Sequence, residues 1–137
     1  MDKQITITEL DFARLSKLTL SEKKLQAIEV RNLPFLTEEI NRAAKVESKA
    51  IASDYVTMNS KVEVLDPDTK RVMTFQLVYP EEANLKNGKI SVLSPMGSAL
   101  LGYKAGDTIS FNVPKGIKKM EIKSILYQPE SQGEYTV

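Results

Sequence analysis

Residues 90–102 read ISVLSPMGSALLG, a short apolar run that leads into a helix start and ends on a glycine. Ser94 suits the position that caps a helix, because a serine hydroxyl can accept a hydrogen bond from a free backbone N–H of the first turn. Pro95 suits the first position inside the helix, and Gly102 suits the position just beyond its end. The stretch therefore predicts a strand at residues 89–93, entered from a turn at Asn87-Gly88, followed by a helix of two turns.

The sequence on both sides of this helix favours β-strands. Val62 and Val64 alternate with charged neighbours, and this run stops at a proline-containing turn, residues 66–68. Glycine or proline also marks turns at residues 106–107 and 114–116. Strands are therefore predicted around residues 62–64 and at residues 71–79, 89–93, 108–113 and 119–127. With the short helix they predict an α+β domain, a small antiparallel sheet of five strands with one helix packed on it.

The two halves of the chain differ in composition. Before residue 54 there is no glycine and one proline, Pro34, whereas all 6 glycines and the other prolines follow it. Glycine and proline interrupt regular structure, so the contrast predicts a helical segment at residues 1–53 and a β-rich domain at residues 54–137.

The N-terminal segment carries two apolar stripes with helical spacing. Thr8 is predicted to cap a first helix, and Thr19 is a second possible cap, at which this helix would break. Pro34 disfavours helical geometry in the residue before it, so the chain is predicted to turn between Val30 and Leu36. The first stripe comprises Leu15, Leu18, Leu25 and Ile28, and the second comprises Leu33, Leu36, Ile40, Ala43 and Ala50. These stripes predict a short antiparallel helical hairpin over residues 8–52, packed on itself or on the following domain.

Composition excludes several kinds of chemistry. Among 137 residues there are 0 cysteines and 0 histidines, so a disulfide, a thiol nucleophile, an imidazole base and a Cys/His zinc site are all impossible. The 19 basic and 18 acidic side chains nearly cancel, so no bulk attraction to nucleic acid is expected. No apolar run is long enough for a membrane span, and residues 1–4 do not begin a signal peptide. We therefore expect a cytoplasmic protein that makes no contact with membranes, and we also expect it to be a monomer.

Carboxylates are the remaining candidates for a metal or acid–base site. They occur in pairs at residues 38–39, 66 and 68, and 81–82. Adjacent glutamates on a helix point in different directions, and acidic residues beside a proline are common in turns. A solvated surface is the favoured interpretation for each pair, and the same holds for the basic cluster Lys115, Lys118 and Lys119. We predict no catalytic residue, no bound metal and no cofactor.

Residues 90–102, followed by Gly106-Asp107, resemble the C-terminal domain of the bacterial Gre transcript-cleavage factors. Three further stretches resemble the Gre-related Rnk family, the regulators of nucleoside diphosphate kinase. They are VTMNSKV at residues 56–62, LVYP at residues 77–80 and YQPE at residues 127–130. The resemblance covers residues 54–137 almost continuously, and over residues 1–53 it rests on helical character alone.

This resemblance implies an FKBP-like C-terminal domain that docks on RNA polymerase beside its secondary channel. The contact implied lies at the helix start, Ser94, Pro95, Met96 and Gly97, and is made with the rim helices of the largest catalytic subunit. Any contact with DNA or RNA is then indirect, within the transcription complex. The pattern alone leaves open whether the Met96 side chain is exposed or tucked under the sheet.

Gre factors also extend a helical hairpin into the channel, with an acidic pair at its tip that helps to hold a catalytic Mg²⁺. The present hairpin is shorter, and its predicted tip offers Arg31, Asn32 and Pro34, with Glu29 and Glu38 only on its flanks. The resemblance therefore implies a transcription regulator without transcript-cleavage activity of its own.

Two other classes of function stay open from the sequence. An FKBP-like fold raises a peptidyl-prolyl isomerase, although such an enzyme needs a deep aromatic pocket and most aromatic residues here occupy alternating strand positions. The family name raises an interaction module that acts on nucleoside diphosphate kinase itself, and no residue pattern tests that hypothesis.

Overall fold

A computed structural model of the chain describes residues 5–19 and 27–135. The helices are α1 (Glu9–Thr19), α2 (Ala27–Arg42) and α3 (Pro95–Leu100). The strands are β1 (Thr6–Thr8), β2 (Ala44–Val46), β3 (Lys61–Asp66), β4 (Arg71–Val78), β5 (Lys89–Ser91), β6 (Thr108–Val113) and β7 (Gly116–Tyr127). Short 3₁₀ turns lie at Ser48–Ala50, Pro80–Glu82, Leu85–Asn87 and Pro129–Gln132. The α+β class is confirmed.

The larger sheet has five strands in the order β5-β4-β3-β7-β6, at the predicted places in the chain. The prediction of a fully antiparallel sheet is wrong at one edge, because β5 runs parallel to β4, with Leu77 opposite Ile90. The cause is the connection between them. Residues 79–88 include two 3₁₀ turns and return the chain to a point beside Gln76, so that β5 runs alongside the last three residues of β4 in the same direction. Gly88 ends the second of these turns at φ 72° instead of closing a two-residue hairpin.

The N-terminal helices differ from the predicted hairpin. Thr8 caps α1 as expected, because the Asp11 backbone N–H donates to its hydroxyl at 3.0 Å. The turn predicted between Val30 and Leu36 is wrong, because α2 continues through Pro34. A proline inside a helix costs about 3 kcal/mol, and complete burial of Leu36 and near-complete burial of Ile40 offset that cost. The second cap predicted at Thr19 falls at the end of α1, and residues 20–26 lie outside the described residues.

A second small sheet was not predicted. β2 follows directly after α2 and pairs in parallel with β1, with Ile7 opposite Lys45. The Ala44 backbone N–H donates to the Ile5 carbonyl at 2.9 Å, so pairing with the N-terminal strand ends the helix. The prediction that the second helical stripe reaches Ala50 is therefore wrong, and Ala50 lies in a 3₁₀ turn.

One hydrophobic cluster joins the helices to the sheet. It includes Leu15 of α1 and Leu36 of α2 together with Val62 of β3 and Ile122 of β7, all with 0% exposure. Burying one such side chain stabilises the fold by about 1.5–3 kcal/mol. The apolar stripes of α1 and α2 thus pack on the β-rich half. In the described part of the chain, no helix has the length and apolar character needed to cross a bilayer.

Buried polar groups fix α1 to the loop before β3. The Asp11 carboxylate accepts the Met58 backbone N–H at 3.0 Å, and the Glu130 carboxylate nearby accepts the Thr57 hydroxyl at 2.7 Å. Burial raises the pKa of Asp11 to about 7, and the charge of Glu130 acts in the same direction, whereas Arg14 and the Met58 hydrogen bond oppose it. The neutral form of Asp11 is therefore favoured in the folded protein at mildly acidic pH.

This shift predicts how the free energy of unfolding depends on pH. The pKa of folded Asp11 lies above its ordinary value of 3.8, so its stabilising contribution is complete below pH 3.8 and is lost as pH rises through about 7. Asp11→Asn keeps an acceptor for the Met58 N–H without a charge. We expect the variant to lose about 2 kcal/mol less stability than the wild type between about pH 5 and 8, measured by urea unfolding. The exposed Asp54→Asn is the control, and parallel pH profiles for Asp11→Asn and wild type would contradict the prediction.

Candidate functional site

The first turn of α3 is held rigidly by one serine side chain. The Ser94 hydroxyl accepts the Gly97 backbone N–H at 3.0 Å and donates to the Ser91 carbonyl at 2.7 Å. Pro95 occupies the first helical position, where its missing N–H would have no partner in any case. Gly102 follows the helix at φ 84°, in the left-handed region. The helix start predicted from the sequence is confirmed as local structure.

Only the beginning of α3 reaches the surface. Ser94, Pro95 and Met96 are half-buried, whereas the rest of the helix, from Gly97 to Leu100, is buried. Met96 packs against the hydrophobic core with part of its side chain. The sequence left open whether the Met96 side chain is exposed or tucked under the sheet. The structure lies between these alternatives, because one part of the side chain is in the core and another part is accessible beside Pro95.

Gly97 contributes backbone and no side-chain surface. A Cβ built on it would lie 2.0 Å from the Ser91 carbonyl oxygen and 2.9 Å from the Ser94 hydroxyl. Real Cβ atoms do not approach a backbone oxygen so closely, so α3 can pack on the end of β5 only with glycine at this position. Of the four residues predicted to contact a partner, Ser94, Pro95 and Met96 offer accessible side-chain atoms. Gly97 instead allows the close packing of α3 that positions them.

Asn32 of α2 lies beside α3, although the sequence had placed it at the tip of a hairpin. Its side-chain amide donates to the Leu93 carbonyl at 3.0 Å, the Ser94 carbonyl at 3.3 Å and the Ser98 hydroxyl at 2.7 Å. These contacts join residues more than 60 positions apart in the chain. Sequence reasoning missed them, and the available signal was an amide side chain in the middle of an otherwise apolar helical stripe.

A cleft of about 310 Å³ opens between α2, Pro95 of α3 and the β6–β7 hairpin. Phe35 of α2, which is 41% exposed, and Ile117 of β7, which is 71% exposed, line it together with Phe111. Among the described residues that line the cleft, Arg31 is the one that carries a charge. The accessible surface next to the α3 start is therefore mainly apolar with a single cation, a composition suited to protein contact.

Carboxylates of two of the predicted pairs bond to cationic side chains of the same chain. Glu39 is buried and accepts from the Arg42 guanidinium at 2.9 Å, whereas Glu38 is exposed. The Lys118 ammonium donates to Asp66 at 2.7 Å and to Asp68 at 3.0 Å, and its hydrogen bond keeps the pKa of Asp66 below the ordinary value. Within residues 5–19 and 27–135, no group of three or more acidic side chains is arranged to hold a metal ion.

Glu29 and Glu38, predicted to flank a hairpin turn, both lie in α2. Nine residues of α-helix separate two positions by about 13–14 Å along the axis and by half a turn around it. The two positions therefore lie on opposite sides of one helix, and the prediction that they flank a common tip is wrong.

Most described aromatic rings of the β-rich half belong to the core. Phe75, Tyr79, Tyr103 and Phe111 are partly buried and pack against the hydrophobic cluster. The cleft beside Pro95 is lined by two phenylalanines, Phe35 and Phe111. The geometry of the described residues thus offers no observation that specifically favours a prolyl isomerase, and an isomerisation assay on a proline peptide tests that alternative.

Comparison with known proteins gives consistent similarities. A family model described as the C-terminal domain of the transcription elongation factors GreA and GreB matches residues 51–127. The chain is 33% identical over 132 residues to a regulator of nucleoside diphosphate kinase from Escherichia coli K12, a match that covers 96% of this chain and 95% of the relative. It is 37% identical over 92 residues to GreA of Syntrophotalea carbinolica, across 67% of this chain and 58% of that one. A solved GreA/GreB elongation factor structure from Nitrosomonas europaea superposes with a TM-score of 0.74 at 32% identity, over 92% of this chain and 100% of the other.

Proposed function

Because the chain belongs to the GreA/GreB family of transcription elongation factors, we propose that it binds RNA polymerase and regulates transcription without stimulating transcript cleavage. The observation that carries the proposal is the capped, half-buried start of α3, where Ser94, Pro95 and Met96 reach the surface beside a cleft lined in part by apolar side chains. We place the contact on the rim helices of the largest catalytic subunit, at the entrance of the secondary channel. The chain acts there as a monomer in the cytoplasm, and its FKBP-like domain faces the polymerase.

A preformed helix start supports docking at this position. The Ser94 hydroxyl already bonds the Gly97 N–H, and Pro95 has few backbone conformations to lose. A surface whose geometry is fixed before contact avoids much of the ordering cost of association. Met96 and Phe35 supply apolar atoms of the kind that anchor protein interfaces.

The contacts of the described parts of α1 and α2 support regulation without cleavage. The described residues of α1 number 11 and those of α2 number 16, which correspond to about 16 and 24 Å of helix. Asn32, which contacts α3, lies only five residues from the first described residue of α2, or about 7–8 Å along the helix. Leu15 and Leu18 are buried in the last two turns of α1, so this helix also stays on the body of the protein.

Binding to polymerase is tested by competition. Purified core polymerase is titrated with the labelled chain, and unlabelled GreA is then added. We expect saturable binding that GreA displaces, because both proteins use the α3 start and the same rim helices. The absence of saturable binding, or binding that excess GreA leaves unchanged, would contradict the proposed docking site.

A second candidate function is regulation of nucleoside diphosphate kinase. It is favoured by the similarity to the Escherichia coli regulator of that name, which extends over 96% of this chain. A direct effect requires the purified chain to change the rate of phosphate exchange by purified kinase. A pull-down from bacterial lysate, analysed by mass spectrometry, separates the two candidates according to whether polymerase subunits or the kinase are recovered.

A further inference from the structure

We propose that Asn32 is a positioning residue that fixes the first turn of α3 for docking and so links the orientation of α2 to polymerase affinity. This inference rests on the proposed function, because it concerns how the docking surface is held. Asn32 itself is half-buried and lines the cleft beside Pro95.

Three hydrogen bonds carry the inference. The two N–H groups of the Asn32 amide are shared among the carbonyls of Leu93 and Ser94, the two residues that lead into α3, and the hydroxyl of Ser98 one turn later. These acceptors stand on both sides of Pro95 and Met96 in the chain. A single planar amide therefore bonds to the backbone before the residues that are proposed to contact the polymerase and to a side-chain hydroxyl after them.

The neighbours of Asn32 on α2 belong to the same surface. Arg31 and Phe35 line the cleft together with Pro95. A rotation or shift of α2 relative to α3 would change the distance between Phe35 and Pro95 and hence the shape presented to a partner. Among the described residues of α2, Asn32 is the one whose side chain forms hydrogen bonds across the space between α2 and α3. It therefore controls the position of α2 relative to the start of α3.

The fold itself has other supports at this position. The Ser98 hydroxyl also donates to the Ser94 carbonyl at 2.9 Å, and the Ser94 carbonyl accepts the Ser98 backbone N–H at 3.0 Å. Burial of Leu36 and Ile40 holds α2 against the core independently of Asn32. We therefore expect loss of the Asn32 amide to loosen the placement of the α3 start while the protein remains folded.

A double-mutant cycle with Asn32→Ala and Met96→Ala tests the inference on the full chain. Asn32→Ala alone should weaken binding to core polymerase about fivefold to tenfold, the effect of one or two lost hydrogen bonds. In the Met96→Ala background the same change should have a smaller effect. The truncated side chain at position 96 makes fewer contacts with the polymerase, so a shift in its position removes less binding energy. A residue with a merely structural role would give additive effects.

Thr37→Ala is the matched control on the same helix. The Thr37 hydroxyl donates to the Leu33 carbonyl within α2, so the polymerase affinity of this variant should stay at the wild-type value. Asn32→Asp is measured in parallel, because it keeps the shape of the side chain but removes the donors, and we expect a loss at least as large as for Asn32→Ala. Both Asn32 variants should keep a cooperative thermal unfolding transition.

The outcomes are distinguishable. Weaker binding by both Asn32 variants, with an interaction energy in the cycle, supports the inference. If the wild type binds and Met96→Ala weakens binding, but the Asn32 variants bind like the wild type or show additive effects, Asn32 is not a positioning residue and the docking proposal stands. If the wild type does not bind polymerase, the proposed function fails and this inference fails with it.

Discussion

Replacing Met96 with aspartate is expected to weaken binding to RNA polymerase about a hundredfold. Met96 lies at the half-buried start of α3, beside Pro95 and the apolar cleft. A carboxylate placed in an apolar contact loses its hydration without gaining a partner, which costs about 2–4 kcal/mol of binding free energy. The measurement is an equilibrium titration of core polymerase with fluorescently labelled wild type and variant.

Leu85→Asp is the matched control for this substitution. Leu85 is 76% exposed in the loop before β5, and it is absent from the wall of the cleft. The same charge introduced there should leave polymerase affinity within about twofold of the wild type. Circular dichroism and thermal unfolding establish that both variants are folded. A folded Met96→Asp variant with wild-type affinity would remove Met96 from the docking surface.

Gly97→Ala is expected to cause the largest loss of stability among the substitutions considered. The new Cβ would meet the Ser91 carbonyl oxygen at 2.0 Å, and Ser91 is held in β5 by pairing with Val78 of β4. Relief of the clash requires backbone movement and breaks the Ser94–Gly97 cap. Overpacking of a core costs about 1–3 kcal/mol, and the loss of a cap adds about 1 kcal/mol. We therefore expect a decrease of about 3 kcal/mol in the free energy of unfolding, measured by urea denaturation.

Gly133→Ala separates the clash from ordinary glycine strain. Gly133 has a positive φ of 78°, but a Cβ there meets no atom within 4 Å. Its replacement should cost about 1–2 kcal/mol through backbone strain alone. If Gly97→Ala destabilises the protein no more than Gly133→Ala does, the close packing of α3 on β5 is not a constraint on the docking helix.

The strands and α3 could be predicted because their signals are local. The alternation around Val62 and Val64 depends on which face of β3 is buried, and both side chains are completely buried in the structure. The cap at Ser94 involves residues only three positions apart. Such patterns are present in a short stretch of sequence, whatever the rest of the chain does.

The predictions from sequence were wrong or incomplete where the structure depends on contacts between distant parts of the chain. Pro34 has a local preference against helix, and burial of Leu36 in the hydrophobic core overrides it. The pairing of β1 with β2 joins residues 6–8 to residues 44–46, and no local pattern in either segment specifies the other. The parallel edge formed by β5 likewise depends on the path of the loop before it.

In the candidate site, too, the locally determined features could be predicted and those that depend on distant contacts could not. The motif at Ser94, Pro95 and Met96 could be located from the sequence, because a capping serine followed by proline is distinctive. The role of Asn32 could not, because its acceptors Leu93 and Ser98 lie 61 and 66 residues away in the chain. Asparagine has a low helix propensity, and only the folded structure shows which groups its side chain contacts inside α2.

The most direct test of the account adds the purified chain to a backtracked elongation complex and follows the RNA 3′ end over time. Cleavage requires carboxylates that hold Mg²⁺ at about 2.1 Å beside the reacting phosphate, and a misplacement of about 1 Å costs on the order of a hundredfold in rate. Positions 29 and 38 of α2 lie half a helical turn apart around the axis, so the backbone does not bring these two acidic residues to a common tip. We expect no cleavage by the chain alone and slower cleavage when it is mixed with a Gre factor. Accelerated release of short 3′ fragments by the chain alone, lost in a variant carrying Glu29→Gln and Glu38→Gln, would contradict the account and establish a cleavage factor.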